Sequence, residues 1–115
     1  MKEWCHDVIA TPERIAIPIM THPGIELCGK TVKQAVTNGE THAEAICKLD
    51  EVYPAAASTV IMDLTVEAEC FGSEIVFAEN EVPNVVGRLV HDHASIVALP
   101  VPSIQSGRMP EYLKA

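Results

Sequence analysis

Four residues of this sequence combine a reactive side chain with a setting that could use it: Asp63, His22, Glu26 and Glu67. Asp63 closes an apolar run over residues 55–62, and His22 follows the apolar run 15–20 within Thr21-His22-Pro23-Gly24. Glu26 stands four residues past His22, and Glu67 and Glu69 stand four and six residues past Asp63. An imidazole and several carboxylates gathered on one rim can move protons or hold a cation. Each also has a purely structural use. Asp63 could cap the helix that follows it, His22 could be a turn residue beside Pro23, and Glu67 and Glu69 suit the first turn of a helix through its dipole.

Other combinations carry less chemistry. His91-Asp92-His93 would present both rings on one side only from a strand, and here it trails a helical stretch, so it reads as a solvated helix end. Cys5, Cys28, Cys47 and Cys70 lie about twenty residues apart with no Cys-x-x-Cys pair, which speaks against a zinc ribbon or redox motif. They read as reduced, mostly buried thiols, and no metal ligand is assigned among them. No Gly-x-Gly-x-x-Gly, phosphate-binding loop or Gly-x-Ser-x-Gly occurs, so nucleotide and serine-hydrolase chemistry have no support.

The elements that must position these residues follow from periodicity. Residues 3–11 are weakly helical, and 15–20 is strand-like although Pro18 removes a ladder donor. Thr21-His22-Pro23-Gly24 reads as a loop at that strand's end. Over 31–49 the residues Val32, Ala35, Val36, Ala43, Ile46 and Leu49 recur at helical spacing, despite Gly39. Residues 55–62, apolar on both faces apart from Ser58 and Thr59, suit a strand buried in a parallel sheet, paired over 57–62. A short helix over 64–71 stops at Gly72, a strand covers 74–78, and a helical stretch runs from Pro83 to about His91. Residues 107–115 open a further helix, with Pro110 in its first turn. This alternation is the grammar of an α/β fold with parallel strands and crossover helices. It predicts that 15–20 and 57–62 pair in parallel across the helix 31–49, which would set His22 and Asp63 on the same rim.

Bulk properties narrow the partners. Sixteen acidic against eight basic residues give a net charge of -8, which repels phosphate backbones and anionic lipid, so nucleic acid and membrane surfaces are poor partners. No apolar run reaches the roughly 20 residues of a membrane span, and residues 1–7 contain no apolar signal core, which points to a cytoplasmic protein. With 48% apolar residues the chain is too hydrophobic for a disordered segment.

Two stretches carry a family likeness. Ile17-Pro18-Ile19-Met20-Thr21-His22-Pro23-Gly24-Ile25-Glu26-Leu27, and still more Ile61-Met62-Asp63-Leu64-Thr65-Val66-Glu67-Ala68-Glu69-Cys70-Phe71-Gly72-Ser73-Glu74, resemble the uroporphyrinogen decarboxylase superfamily. The Thr-Val-Glu-Ala-Glu-like helix and Phe-Gly resemble its methylcobalamin:coenzyme M methyltransferases, and Ser106-Gly107-Arg108-Met109-Pro110-Glu111-Tyr112 resembles the helix that follows there. The likeness covers residues 12–115 and implies the first third of a (β/α)8 TIM barrel, with the barrel incomplete.

For the full-length protein the resemblance implies methyl transfer from a methylated corrinoid to a thiol, with zinc activating the thiol. The family's zinc ligands belong to the second half of the barrel, so this chain is expected to hold neither zinc nor corrinoid by itself and to be inactive alone. The decarboxylases place an arginine-rich Arg-Gln-Ala-Gly-Arg element after the first strand, where this chain has Met20-Thr21-His22-Pro23-Gly24 and no cation for a carboxylated tetrapyrrole. Asp63 matches the decarboxylases' active-site aspartate, which keeps tetrapyrrole decarboxylation as the alternative. By likeness Asp63 is the expected catalytic residue, with His22, Glu26 and Glu67 binding a small-molecule substrate, corrinoid or tetrapyrrole. A third reading makes the chain a non-catalytic, self-associating module. An open piece of barrel exposes an apolar edge, so homo-oligomers are expected in either case.

Overall fold

The computed structural model describes residues 1–115. Its centre is a group of helices whose starts are written in the sequence. Helix α1 covers Lys2–Ala10 and buries no residue. Helix α2, His22–Leu27, begins with Pro23 in its first turn, so the tetrapeptide expected to be a loop is instead a helix start. Helix α3, Val32–Thr37, opens on a capping box, with Thr31 Oγ1 accepting the Gln34 N–H at 3.2 Å and Gln34 Oε1 accepting the Thr31 N–H at 2.9 Å. Helix α4, Gly39–Val52, buries Gly39, His42, Ala45 and Leu49 on one side.

The single helix expected over 31–49 is therefore two. Asn38 is extended (φ -141°, ψ 113°) and its Oδ1 accepts the Thr41 N–H at 2.9 Å, so it ends α3 and caps α4. Gly39 follows because a Cβ there would run into the backbone carbonyl of Glu111. Apolar spacing continues through both helices, which is why periodicity alone reads them as one.

Helix α5, Thr65–Cys70, ends before Gly72, whose φ of 100° only glycine adopts freely. Strand β1, Glu74–Val76, pairs antiparallel with strand β2, Asn84–Val86, matching Ile75 to Val85. The helix expected over 83–91 is thus replaced by a strand, because β-branched Val85 and Val86 suit the ladder. Helix α6, His93–Ala98, starts only where Asp92 and Ser95 form a second capping box. His91 and His93 consequently precede and open a helix rather than trail one. Helix α7 is Met109–Lys114.

The two segments expected to be parallel strands, 15–20 and 57–62, form no ladder, and β1 with β2 is the whole of the sheet. They do lie side by side, with Thr21 Oγ1 donating to the Thr59 carbonyl at 2.7 Å. Their pairing groups are diverted: Pro18 has no N–H, and the Ile61 N–H donates to His42 Nε2 at 2.8 Å. Nor is 57–62 buried on both faces. Ala57, Thr59, Ile61 and Asp63 turn inward, while Ser58, Val60 and Met62 are exposed, and residues 15–20 are exposed throughout. The chain has the mixed helix and strand of an α/β protein without the parallel sheet.

The core joins Ile25, Val32, Ala35, Val36, Ala45 and Ile61, with Cys28 and Phe77 packed against it. Only 16 of 115 residues are buried, and the radius of gyration is 17.2 Å, where a closed domain of this length has roughly 13 Å. Helix α2 reaches α4 through Gly24, whose added Cβ would strike the Ala45 carbonyl and lie 3.1 Å from Leu49 Cβ. Gly24→Ala should therefore lose about 1–3 kcal/mol through overpacking, more than the ~1 kcal/mol of helix propensity it gains. Urea unfolding checks this, and a more stable variant would show that α2 can lift off α4 without loss.

Candidate functional site

Asp63 is the best-connected carboxylate in the chain, and its side chain is closed to solvent. Its Oδ1 accepts the Thr65 N–H at 2.9 Å and the Thr65 hydroxyl at 2.6 Å. The first of these bridges from i to i+2, an Asx turn that leads the backbone into α5. Its Oδ2 accepts from Arg108 Nη1 at 2.6 Å and from the Tyr112 hydroxyl at 3.2 Å. Burial alone would raise the carboxyl's pKa, but the hydrogen bonds from Thr65 and Arg108, with the guanidinium charge, outweigh it and hold it below the usual carboxylate range.

Arg108 is the partner that sequence reading missed. Its Nε donates to Glu69 Oε2 at 2.6 Å, its Nη1 also to the Val36 carbonyl at 3.3 Å, and its Nη2 to the Thr65 hydroxyl at 2.7 Å. The guanidinium carbon lies 4.8 Å from the centroid of the Phe77 ring. One cation at the head of α7 thus ties together α3, the 61–65 turn, α5 and the chain after β1. Its only prior mark was its place in the Ser106–Tyr112 stretch, and a lone arginine there has no spacing that names its partners. Glu69, read as a first-turn dipole acid, is a ligand of this guanidinium.

His42 is the second residue missed. It is fully buried, its Nε2 accepts the Ile61 N–H, and its ring meets Tyr112 edge-on with centroids 5.1 Å apart. On sequence it was simply one polar residue in an amphipathic helix.

The extended segment 60–62 separates two recesses. One, about 310 Å³, is lined by Ile19, Met20, Thr21, His22, Val60, Ile61 and Met62. The other, about 230 Å³, is lined by the same three residues together with Asp63, Leu64, Val66, Glu67, Met109 and Tyr112. His22 and Asp63 therefore adjoin one segment but open onto different recesses, and Glu67 lies with Asp63. Glu26 is exposed on α2 and lines neither. Neither recess contains a lysine or arginine, and Arg108, next in the chain to the lining residue Met109, is occupied by two carboxylates.

Zinc, implied by the family likeness, has no fitting donor set here. No three His, Cys, Asp or Glu side chains converge on a point, and Cys5, Cys28, Cys47 and Cys70 are all free. Against expectation none is buried, Cys5 and Cys47 being exposed and Cys28 and Cys70 only half-buried, because the small core leaves α1 and the outer side of α4 open. No helix is long and apolar enough to cross a membrane.

Helices packed around an extended segment, with one short antiparallel ladder, make this chain a mixed helix-and-strand fold. The fold is similar to that of a methyltransferase from Methanosarcina mazei, at a TM-score of 0.73 and 24% identity, over 90% of this chain and 32% of that one. The chain thus spans about a third of that structure's length. None of the curated proteins compared with the chain matches it. The uroporphyrinogen decarboxylase (URO-D) family matches residues 7–115, and the chain belongs to that family.

The geometry changes the expected effect of removing Asp63. A surface N-cap lost to alanine would cost about 1 kcal/mol. Asp63→Ala instead orphans the Tyr112 hydroxyl and the Thr65 N–H and leaves Arg108 with Glu69 as its only carboxylate. It should cost about 3 kcal/mol, and Arg108→Met, which leaves two carboxylates unpaired, about 3–5 kcal/mol. Because the Asp63 pKa is depressed on folding, its contribution is complete above the unfolded carboxyl pKa and fades as pH falls through the folded one. Guanidinium unfolding of both variants at neutral pH checks the order, and wild-type stability in Asp63→Ala would remove the network from the account.

Proposed function

We propose that residues 1–115 supply part of the active-site rim of a URO-D family methyltransferase that moves a methyl group from a methylated corrinoid to a thiol. The chain's place in the fold is then the opening part of a (β/α)8 barrel, whose further strands would pair with the exposed segments 15–20 and 57–62. Membership of the family and the shared fold of the methyltransferase support this reading. The observation that carries it is the apolar, cation-free lining of the His22 recess. A tetrapyrrole rich in carboxylates needs arginine or lysine partners in its site, whereas the uncharged edge of a corrinoid or an alkyl thiol needs apolar walls and a few polar groups.

Within this reading His22 and Glu67 face substrate from the two recesses. Asp63 is a positioning residue, since its carboxylate is already committed to Thr65, Arg108 and Tyr112. Glu26, away from both recesses, binds substrate only if further chain closes over α2. The exposed apolar residues Ile15, Ile17, Ile19, Val60 and Met62 also support association with further protein, including copies of the same chain.

The test is an assay of the full-length protein for thiol methylation by methylcobalamin, run beside uroporphyrinogen decarboxylation. Thioether should accumulate while uroporphyrinogen stays unchanged. His22→Ala should lower kcat/KM for methyl transfer about tenfold, the loss of one contact of about 1.4 kcal/mol, with no change in melting temperature because the side chain is exposed and makes no hydrogen bond. Decarboxylation without methyl transfer would reverse the assignment, and neither activity would leave a non-catalytic associating module.

A further inference from the structure

His42 sits behind the segment that separates the two recesses. The Ile61 N–H is a fixed donor, so the nitrogen it meets, Nε2, must offer a lone pair, and the proton of a neutral imidazole then resides on Nδ1. Nδ1 is buried and has no partner. The ring is fully enclosed, and burial lowers its pKa from the ordinary imidazole range.

The surroundings supply nothing to stabilise a second proton. From α7 the ring meets the edge of Tyr112, whose hydroxyl points away to Asp63, while Glu111 is engaged by the Gly39 N–H and by Lys114. From the 61–65 turn, Asp63 is neutralised by Arg108. From α2, His22 and Glu26 are exposed, and from α3 Lys33 is exposed and paired with Glu79. Protonation at Nε2 would turn the acceptor into a donor aimed at another donor, and place a charge in an apolar pocket.

We propose that His42 is a pH-sensitive latch on the 60–62 segment: neutral, it holds the Ile61 N–H and fixes the wall common to both recesses, and on protonation it releases that wall. The segment has no sheet ladder to keep it in place once this bond is gone. Mild acid therefore opens the Val60–Met62 wall while the Asp63–Arg108 pair, whose carboxyl is held below the usual carboxylate range, still holds the turn beside it. The latch does not rest on which substrate the recesses take.

Amide hydrogen exchange of the full chain between pH 6.5 and pH 4.5, corrected for the intrinsic pH dependence of exchange, tests this. The protection of Ile61 should fall about tenfold per pH unit below about 6.5, the slope of one proton taken up on opening, while that of Leu49 in α4 falls less. In His42→Gln, whose side-chain oxygen can accept the same N–H without titrating, Ile61 protection should be flat. Flat protection in the wild type, parallel loss at Leu49, or an equal slope in His42→Gln each overturns the latch. If His42→Gln does not fold, the wild-type imidazole nitrogen shifts decide. An unprotonated Nε2 at neutral pH that gains its proton as Ile61 exchange rises supports the latch, and an Nε2 protonated at neutral pH refutes it.

Discussion

A guanidinium buried to this degree must be paired, and the pairing of Arg108 organises everything around the candidate site. Its charge is met by Asp63 and Glu69, 45 and 39 residues earlier in the chain. A single unpaired charge in such a place would cost several kcal/mol, so α7, α5 and the 61–65 turn can dock only in the arrangement that satisfies all three groups. Such a cluster contributes less to net stability than to uniqueness, since apolar residues of the same shape could fill the space at no greater cost. It selects one register of α7 against the rest, and the Glu111 carboxylate, accepting the Gly39 N–H at 2.8 Å, fixes the same register from the other side.

The extended segments show the opposite economy. Residues 15–20 and 57–62 are adjacent, and 57–62 alternates inward and outward like a strand, yet in place of a ladder there is one side-chain hydrogen bond, from Thr21 just after the first segment to the Thr59 carbonyl. Parallel pairs are weak in isolation and are stable when covered on both faces. Here the helices cover one face, and the other exposes Val60 and Met62 at 43% and 57%. The same openness makes the recesses: what would be the floor of a closed sheet is a wall between two shallow cavities, held from behind by His42.

That wall gives the site its chemical character. Most of the chain's acidic residues lie on its surface, and Arg108, beside the smaller recess, is neutralised within the fold. What faces the larger recess is aliphatic, with Met20, Met62, Thr21 and His22 as its polar or polarisable groups. Family membership fixes ancestry and leaves the reaction to such details.

The family likeness and the helices at 2–10, 65–70 and 109–114 were legible in the sequence, because a family motif, a glycine stop, a proline in the first turn and helical periodicity are local signals. The break at Asn38 and the strand at 84–86 were not, since helical spacing continues across the first and the second depends on a partner ten residues away. Nor was the part Asp63 plays. Sequence marks it as a carboxylate at the end of an apolar run, and only the tertiary structure brings Arg108 and Tyr112 to it and turns an expected rim acid into a buried anchor. His42 and Arg108 were invisible for the same reason: the meaning of a lone polar residue is set by what it is buried against, and burial is decided by contacts between distant parts of the chain that no local pattern encodes.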